Sequence, residues 1–241
     1  MTLSPLLAQA PADLQLFLLI GQSNMAGRGT VEAQDKEPMP HVYMLNKELE
    51  WKPAVDPLHW DKPAVAGVGI GRSFARELLK SNTGANIGLI PAAFGGTSLD
   101  EWNPGGKLYA DALLRARAAM KAGKLRGILW HQGEADSGKV EKAKSYRERF
   151  AKVIGSLRED LSLPDVPVVV GQLGEFYEAP FASVVNEQLA MTPIGISRIA
   201  FVNSHGLKPK SDNVHFDAAA LREFGRRYAH GFLMLDPQWS K

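Results

Sequence analysis

Short, almost wholly apolar runs recur along the chain, separated by longer stretches in which apolar residues return every three or four positions. The runs occupy 14–20 (Leu14-Gln15-Leu16-Phe17-Leu18-Leu19-Ile20), 86–91, 126–131, 166–172 and 198–202. Strands that are covered by helices on both faces have this near-continuous apolar character. Helical spacing joins Ile70, Phe74 and Leu78, then Leu108, Ala112, Ala116 and Met120. Tyr146, Phe150, Val153, Ile154 and Leu157 form a third stripe, and Phe216, Ala220, Leu221, Phe224 and Tyr228 a fourth. Strand alternating with helix predicts right-handed crossovers and a mainly parallel, five-stranded sheet. No repeat or linker divides the chain, so 13–241 reads as a single domain. The Pro-rich segment 30–66 reads as an irregular loop, long enough to wall a binding cleft.

Polar residues cluster where the apolar runs stop. Gly21-Gln22-Ser23-Asn24-Met25-Ala26-Gly27 follows the first run and Gly95-Gly96-Thr97-Ser98 the second. His131-Gln132-Gly133-Glu134 ends the third, and Ser211-Asp212-Asn213-Val214-His215 precedes the last helical stripe. Ligands of parallel sheets bind outside the carboxyl ends of the strands, and a parallel sheet brings these segments to that one edge.

A serine hydroxyl at such an edge reacts only beside a base. Asp212 and His215 fit orienter and base, since a three-residue spacing in a turn lets a carboxylate reach one imidazole nitrogen. The alternative is that Asp212 or Asn213 caps the following helix and leaves His215 exposed. Oxyanion donors are available in the Ser23 N–H, the Gly96 N–H and the Gln132 amide. Glu134 is open to two readings, as an orienter of the histidine or as a partner for Arg28. His41, His59, His205 and His230 read as surface or packing residues, and His131 as a wall or orienting residue.

Composition narrows the classes. The 241 residues carry a net charge of only +2, and scattered basic residues give no nucleic-acid footprint. Without cysteine there is no disulfide, thiol nucleophile or thiolate metal site. No apolar run reaches the roughly 18 residues of a membrane span. No His-Glu-x-x-His pattern or carboxylate cluster suggests a metal, and no cofactor is expected. Gly67-Val68-Gly69-Ile70-Gly71-Arg72 has the wrong glycine spacing for a dinucleotide fingerprint. The Ser23 segment lacks the second glycine of an α/β-hydrolase elbow. Residues 1–12 end near Ala8-Gln9-Ala10, a small-x-small pattern like a cleavage site; the reading is an export-signal remnant and a secreted or periplasmic protein, otherwise a cytoplasmic one.

Taken together, Gly21-Gln22-Ser23-Asn24-Met25-Ala26-Gly27-Arg28-Gly29, Gly95-Gly96-Thr97-Ser98-Leu99-Asp100-Glu101-Trp102, Trp130-His131-Gln132-Gly133-Glu134 and Asp212-Asn213-Val214-His215-Phe216 resemble the SGNH hydrolase superfamily. Within it the chain is similar to carbohydrate esterase family six and to sialate O-acetylesterase-like proteins. The resemblance implies a flavodoxin-like three-layer α/β/α sandwich. It implies Ser23 as nucleophile, His215 as base and Asp212 as its orienter, with Ser23, Gly96 and Gln132 as the oxyanion hole. Gln132 stands where the wider superfamily usually offers an Asn.

The expected activity is removal of O-acetyl groups from acetylated carbohydrate of the acetylxylan type through an acyl-enzyme. A sialate O-acetylesterase is the alternative substrate reading, and a non-catalytic carbohydrate-binding protein of the same fold the alternative class. Gln22, Asn24, Arg28, Trp102, His131 and Glu134 are the expected substrate contacts, with Trp51 and Trp60 as further candidates for sugar stacking.

Overall fold

The structure is a computed structural model that describes residues 13–239, so the expectation for 1–12 lies outside the described residues. Seven strands form one sheet: β1 (Leu14–Gly21), β2 (Val42–Leu45), β3 (Trp51–Pro53), β4 (Ile87–Pro91), β5 (Gly123–His131), β6 (Val168–Gly171) and β7 (Ile199–Val202). Their order is β3-β2-β4-β1-β5-β6-β7, and only the β2–β3 pair is antiparallel. The longer helices are α3 (Gly71–Ser81), α4 (Lys107–Ala119), α6 (Tyr146–Asp160), α7 (Ala182–Ala190) and α8 (Ala218–Leu235). Single turns form α1 (Ser23–Ala26), α2 (Ala33–Lys36) and α5 (Val140–Lys144).

The alternation along β1 explains the three layers. Leu14, Leu16, Leu18 and Ile20 enter a core with Ala112 and Ala116 of α4, Phe150 and Val153 of α6, and Val185 of α7. Phe17 and Leu19 enter the opposite core with Phe74 and Leu78 of α3 and with Leu221, Phe224 and Phe232 of α8. Phe17 is fully buried, edge-on to Phe74 at 4.8 Å and to Phe232 at 5.0 Å between ring centroids. The expected α/β/α sandwich is therefore the fold.

Two strands beyond the expected five lie inside 30–66. β2 (Val42-Tyr43-Met44-Leu45) is apolar but only four residues long, and the three-residue edge strand β3 is largely exposed, so neither gives a run long enough to stand out in a Pro-rich segment. The rest of that segment is tied down by Arg72 of α3, which is buried and donates to the Asp35 and Glu37 carbonyls. Its guanidinium lies 3.7 Å from the Asp56 carboxylate. Burial pushes the Asp56 carboxyl up to about 7, with the Arg72 charge opposing and the Asp35 charge adding to the rise.

Phe17→Ala should cost about 3–5 kcal/mol in urea unfolding, the range for deleting a fully buried aromatic; an unchanged midpoint would contradict this packing. A carboxyl whose folded pKa is raised loses stability as pH rises from its ordinary value towards about 7. The melting-temperature difference between Asp56→Asn and wild type should therefore be more favourable to the variant at pH 8 than at pH 4. A difference independent of pH would show that Asp56 is not held in a protonated, buried state.

Candidate active site

The site forms where β1 and β5 end side by side, with Gly21 opposite His131. Gly21 has φ +131°, and a Cβ there would fall 2.1 Å from the His131 carbonyl oxygen, so only glycine admits this turn. The Gln22 N–H donates to that carbonyl at 2.8 Å, and the chain then enters α1 with Ser23 as its first residue.

His215 arrives from the segment before α8. Asp212 Oδ1 accepts the N–H groups of Val214 and His215, each at 2.9 Å, which folds the turn. Its other oxygen, Oδ2, lies 2.8 Å from His215 Nδ1, and His215 Nε2 lies 3.0 Å from Ser23 Oγ. Capping of α8 falls to Asp217, whose side chain accepts from Ala220 N at 2.7 Å, so Asp212 is free for His215. Burial acts to raise the Asp212 carboxyl, but the hydrogen bonds from the His215 ring and from the His215 and Val214 amides outweigh it and hold it at about 2. An ionised Asp212 accepts Nδ1–H, which leaves Nε2 as the acceptor for the serine hydroxyl.

Gly95 and Gly96 follow β4, and Gly95 lies against the serine. A Cβ on Gly95 would come 3.4 Å from Ser23 Cβ and 2.4 Å from Arg28 Nη2, and Gly96 takes the left-handed φ of +82°. The Gly95 N–H donates to Asp61 Oδ2 at 2.8 Å, and that carboxylate pairs with Arg28 at 2.6 Å, both side chains nearly fully buried. Among the described residues neither the Ser23 N–H nor the Gly96 N–H is engaged in a hydrogen bond.

Gln132 departs from the expected donor role. It is fully buried, and its amide nitrogen already faces Asp136 Oδ2 at 2.7 Å, the Thr97 carbonyl at 3.1 Å and Gln22 Oε1 at 3.2 Å. Two N–H bonds facing three acceptors leave none for an oxyanion. Its Oε1 accepts from Tyr146 OH at 2.8 Å. Gln132 thus holds the loops that carry Ser23 and Gly96 instead of joining the hole.

The six expected substrate contacts prove to be a supporting layer, none more than 5% exposed. Gln22 accepts from Gln132 and from the Gly133 and Ala135 N–H groups. Trp102 packs edge-on against Trp130 and donates to Thr97 Oγ1 at 3.2 Å. Arg28 pairs with Asp61, so Glu134 is neither its partner nor the orienter of His215. Asn24 donates to Glu134 Oε1 at 2.6 Å and to the Val214 carbonyl at 3.2 Å, while its Oδ1 accepts the Phe216 N–H at 3.1 Å. It therefore grips the backbone on both sides of His215. Glu134 also faces His131 Nε2 at 3.5 Å, and His131 Nδ1 meets Tyr228 OH at 3.1 Å. Trp51 packs over Gly88 of β4, away from the serine.

His41, His205 and His230 lie at the surface beside Asn86, Glu175 and Glu77. His59 is buried, and that burial lowers its ring to about 4. Asp61 was not foreseen: Asp61-Lys62-Pro63 in a Pro-rich segment carries no pattern, and only the chain's path brings it to Gly95 and Arg28. Among the described residues no group of three or more His, Asp or Glu could hold a metal ion, and no helix is long and apolar enough to cross a membrane.

A serine, histidine and aspartate in hydrogen-bonded sequence at the carboxyl edge of a parallel α/β/α sheet define a hydrolase-like site. Residues 13–234 match the family described as carbohydrate esterase, sialic acid-specific acetylesterase. A probable carbohydrate esterase of Arabidopsis thaliana is 34% identical over 238 residues, covering 91% of this chain and 90% of that protein. The 1.6 Å X-ray structure of the Arabidopsis protein superimposes with a TM-score of 0.86 at 32% identity, over 92% of this chain and 98% of that one. The fold is shared with NanS (TM-score 0.78, 20% identity, 95% and 99% covered). It is shared too with a carbohydrate acetylesterase from Xanthomonas citri (TM-score 0.70, 20% identity, 93% of this chain and 57% of that one). The chain belongs to the carbohydrate esterase, sialic acid-specific acetylesterase family.

Asn24→Ala should lower kcat for ester hydrolysis on the order of 10²-fold with KM little changed, the cost of a base displaced by about an ångström; an unaltered kcat would remove Asn24 from the positioning of His215. Carboxyl-carbon NMR should give Asp212 a midpoint at about 2. The stabilisation it contributes is present above the ordinary carboxyl pKa and is lost as pH falls from there through about 2. An ordinary midpoint would contradict the three hydrogen bonds.

Proposed function

We propose that the protein is a serine esterase that removes O-acetyl groups from acetylated sugars through an acyl-enzyme. The observation that carries this reading is the unbroken chain from Asp212 Oδ2 through His215 to Ser23 Oγ, at 2.8 and 3.0 Å. Ser23 Oγ attacks the acetyl carbonyl carbon while its proton passes to His215 Nε2. The imidazolium is stabilised by the ionised Asp212 beside it. The carbonyl oxygen, now negative, lies against the free N–H groups of Ser23 and Gly96. The ester C–O bond to the sugar then breaks, and the departing sugar oxygen takes the proton from Nε2. Water attacks the acetyl-serine by the same route, its proton going to His215 and on to Ser23 Oγ, and acetate leaves.

The substrate that the resemblance to carbohydrate esterase family six implies is acetylated polysaccharide of the acetylxylan type. A second reading, an O-acetylated sialic acid, is favoured by the description of the matching family. A non-catalytic carbohydrate-binding role is opposed by the geometry, since a binding protein has no need of a base aligned on a serine hydroxyl.

Hydrolysis of p-nitrophenyl acetate by wild type should fall roughly 10⁴–10⁶-fold in Ser23→Ala and in His215→Ala. Equal rates in wild type and the two variants would overturn the serine mechanism. Comparing wild-type kcat/KM on O-acetylated xylo-oligosaccharide and on O-acetylated sialate then separates the two substrate readings.

A further inference from the structure

We propose that Lys62 is a specificity-determining residue whose ammonium selects acetyl esters carrying a carboxylate a ring's breadth from the ester, as an acidic sugar does. The proposal rests on the esterase reading for the ester, though not for recognition of the carboxylate.

The place of Lys62 follows from residues already fixed at the site. Gly95 is buried between Ser23 and the Asp61–Arg28 pair, and its successor Gly96 stands exposed with its N–H unengaged. Lys62 is exposed beside it, its Nζ 3.4 Å from where a Cβ on Gly96 would stand. Cβ and nitrogen share the α-carbon, so the ammonium is within about 6 Å of the nitrogen proposed to receive the ester's carbonyl oxygen.

The lysine is presented from a fixed backbone. On one side Asp61 is anchored by the Gly95 N–H and by Arg28. On the other, the Val65 and Ala66 N–H groups donate to the Lys62 carbonyl at 3.0 and 2.9 Å. Only the side chain is left to order when an anion arrives, which keeps the cost of binding low.

The charges nearby leave this ammonium uncommitted. Lys52, Lys80 and Lys142 are paired with carboxylates, whereas Lys62, among the described residues, is not. The acidic groups of the neighbouring segments are engaged elsewhere: Asp61 by Arg28, Asp212 by His215, Asp100 by Lys142 and Arg149, and Glu101 by the Ser98 N–H. Lys210, in the His215 turn, adds a second ammonium, which donates to the Arg28 carbonyl at 2.7 Å and not to an acid. A carboxylate on the substrate supplies the partner that the protein withholds. A neutral sugar gains nothing from this charge.

The test uses 4-acetoxybenzoate and its methyl ester, which share one ring and one acetyl ester and differ in the charge across the ring. The ratio of kcat/KM on the acid to that on the methyl ester should fall about fivefold in Lys62→Met, the upper end for an ion pair open to solvent. It should fall roughly 25-fold in Lys62→Glu, where attraction becomes repulsion of the same size, and hold in Lys62→Arg. Raising salt from about 10 mM to about 0.5 M should lower the wild-type ratio more than that of Lys62→Met. Ratios unchanged in Lys62→Met and Lys62→Glu would overturn the proposal. So would an equal loss on both esters, which would place the ammonium on the developing oxyanion and not on the substrate's carboxylate. If neither ester is cleaved, the esterase reading falls and saturation-transfer NMR on the two intact esters decides the proposal. Preferential binding of the acid by wild type, lost in Lys62→Glu, sustains it; equal binding of acid and methyl ester by wild type overturns it.

Discussion

The site depends on one buried amide. Asn24 follows the serine directly, and its side chain ties three separate pieces of chain together: α1 itself, the Glu134 carboxylate after β5, and the backbone on both sides of His215. His215 sits on an irregular segment that is partly open to solvent, with no strand or helix of its own to hold it. That grip acts together with the Asp212 turn, the Lys210 N–H on the His215 carbonyl and the buried ring of Phe216 to hold the 3.0 Å approach of Nε2 to Ser23 Oγ. Glu134 makes the grip strong, because an acceptor that is both ionised and buried draws the amide N–H more firmly than a neutral one. Burial works against the Glu134 charge, yet the facing His131 and the Asn24 amide bring its carboxyl below the ordinary range.

A second buried layer does the same for the loop of Gly95 and Gly96. Asp61 anchors Gly95 from one side, and Arg28, from the serine's own segment, neutralises Asp61. Gln132 binds Gln22 and the Thr97 carbonyl from the other side, held in turn by Asp136 and Tyr146. Because every donor and acceptor of Gln132 is used within the protein, the donors left over at the site are backbone N–H groups. Backbone donors need no side chain to be held still, which suits the oxyanion role proposed for them. The polar residues around the serine are thus mostly engaged with one another.

Much of this was legible in the residues alone. The alternating strands and helices, the parallel sheet with its carboxyl edge, and the gathering of Ser23, Asp212, His215 and Gly96 at that edge all follow from local pattern. Apolar runs report burial on both faces, and a strand that ends in glycine reports a turn, whatever the rest of the chain does. Strands β2 and β3 escaped notice because strands of three or four residues leave too short a pattern.

What the sequence determined by itself was therefore which residues could react and at which edge of the sheet they gather. Tertiary structure decided which of their neighbours face the substrate and which face one another. Gln132, Asn24 and Glu134 have the polar character of ligand-binding residues, and nothing local distinguishes an amide aimed at a substrate from one aimed at a buried carboxylate. That distinction depends on where the packed chain places their partners, from Asp136 four positions after Gln132 to Phe216, 192 positions after Asn24. Asp61 shows the converse: it lies in a segment without pattern and reaches Gly95 and Arg28 through a path that only the packed chain defines.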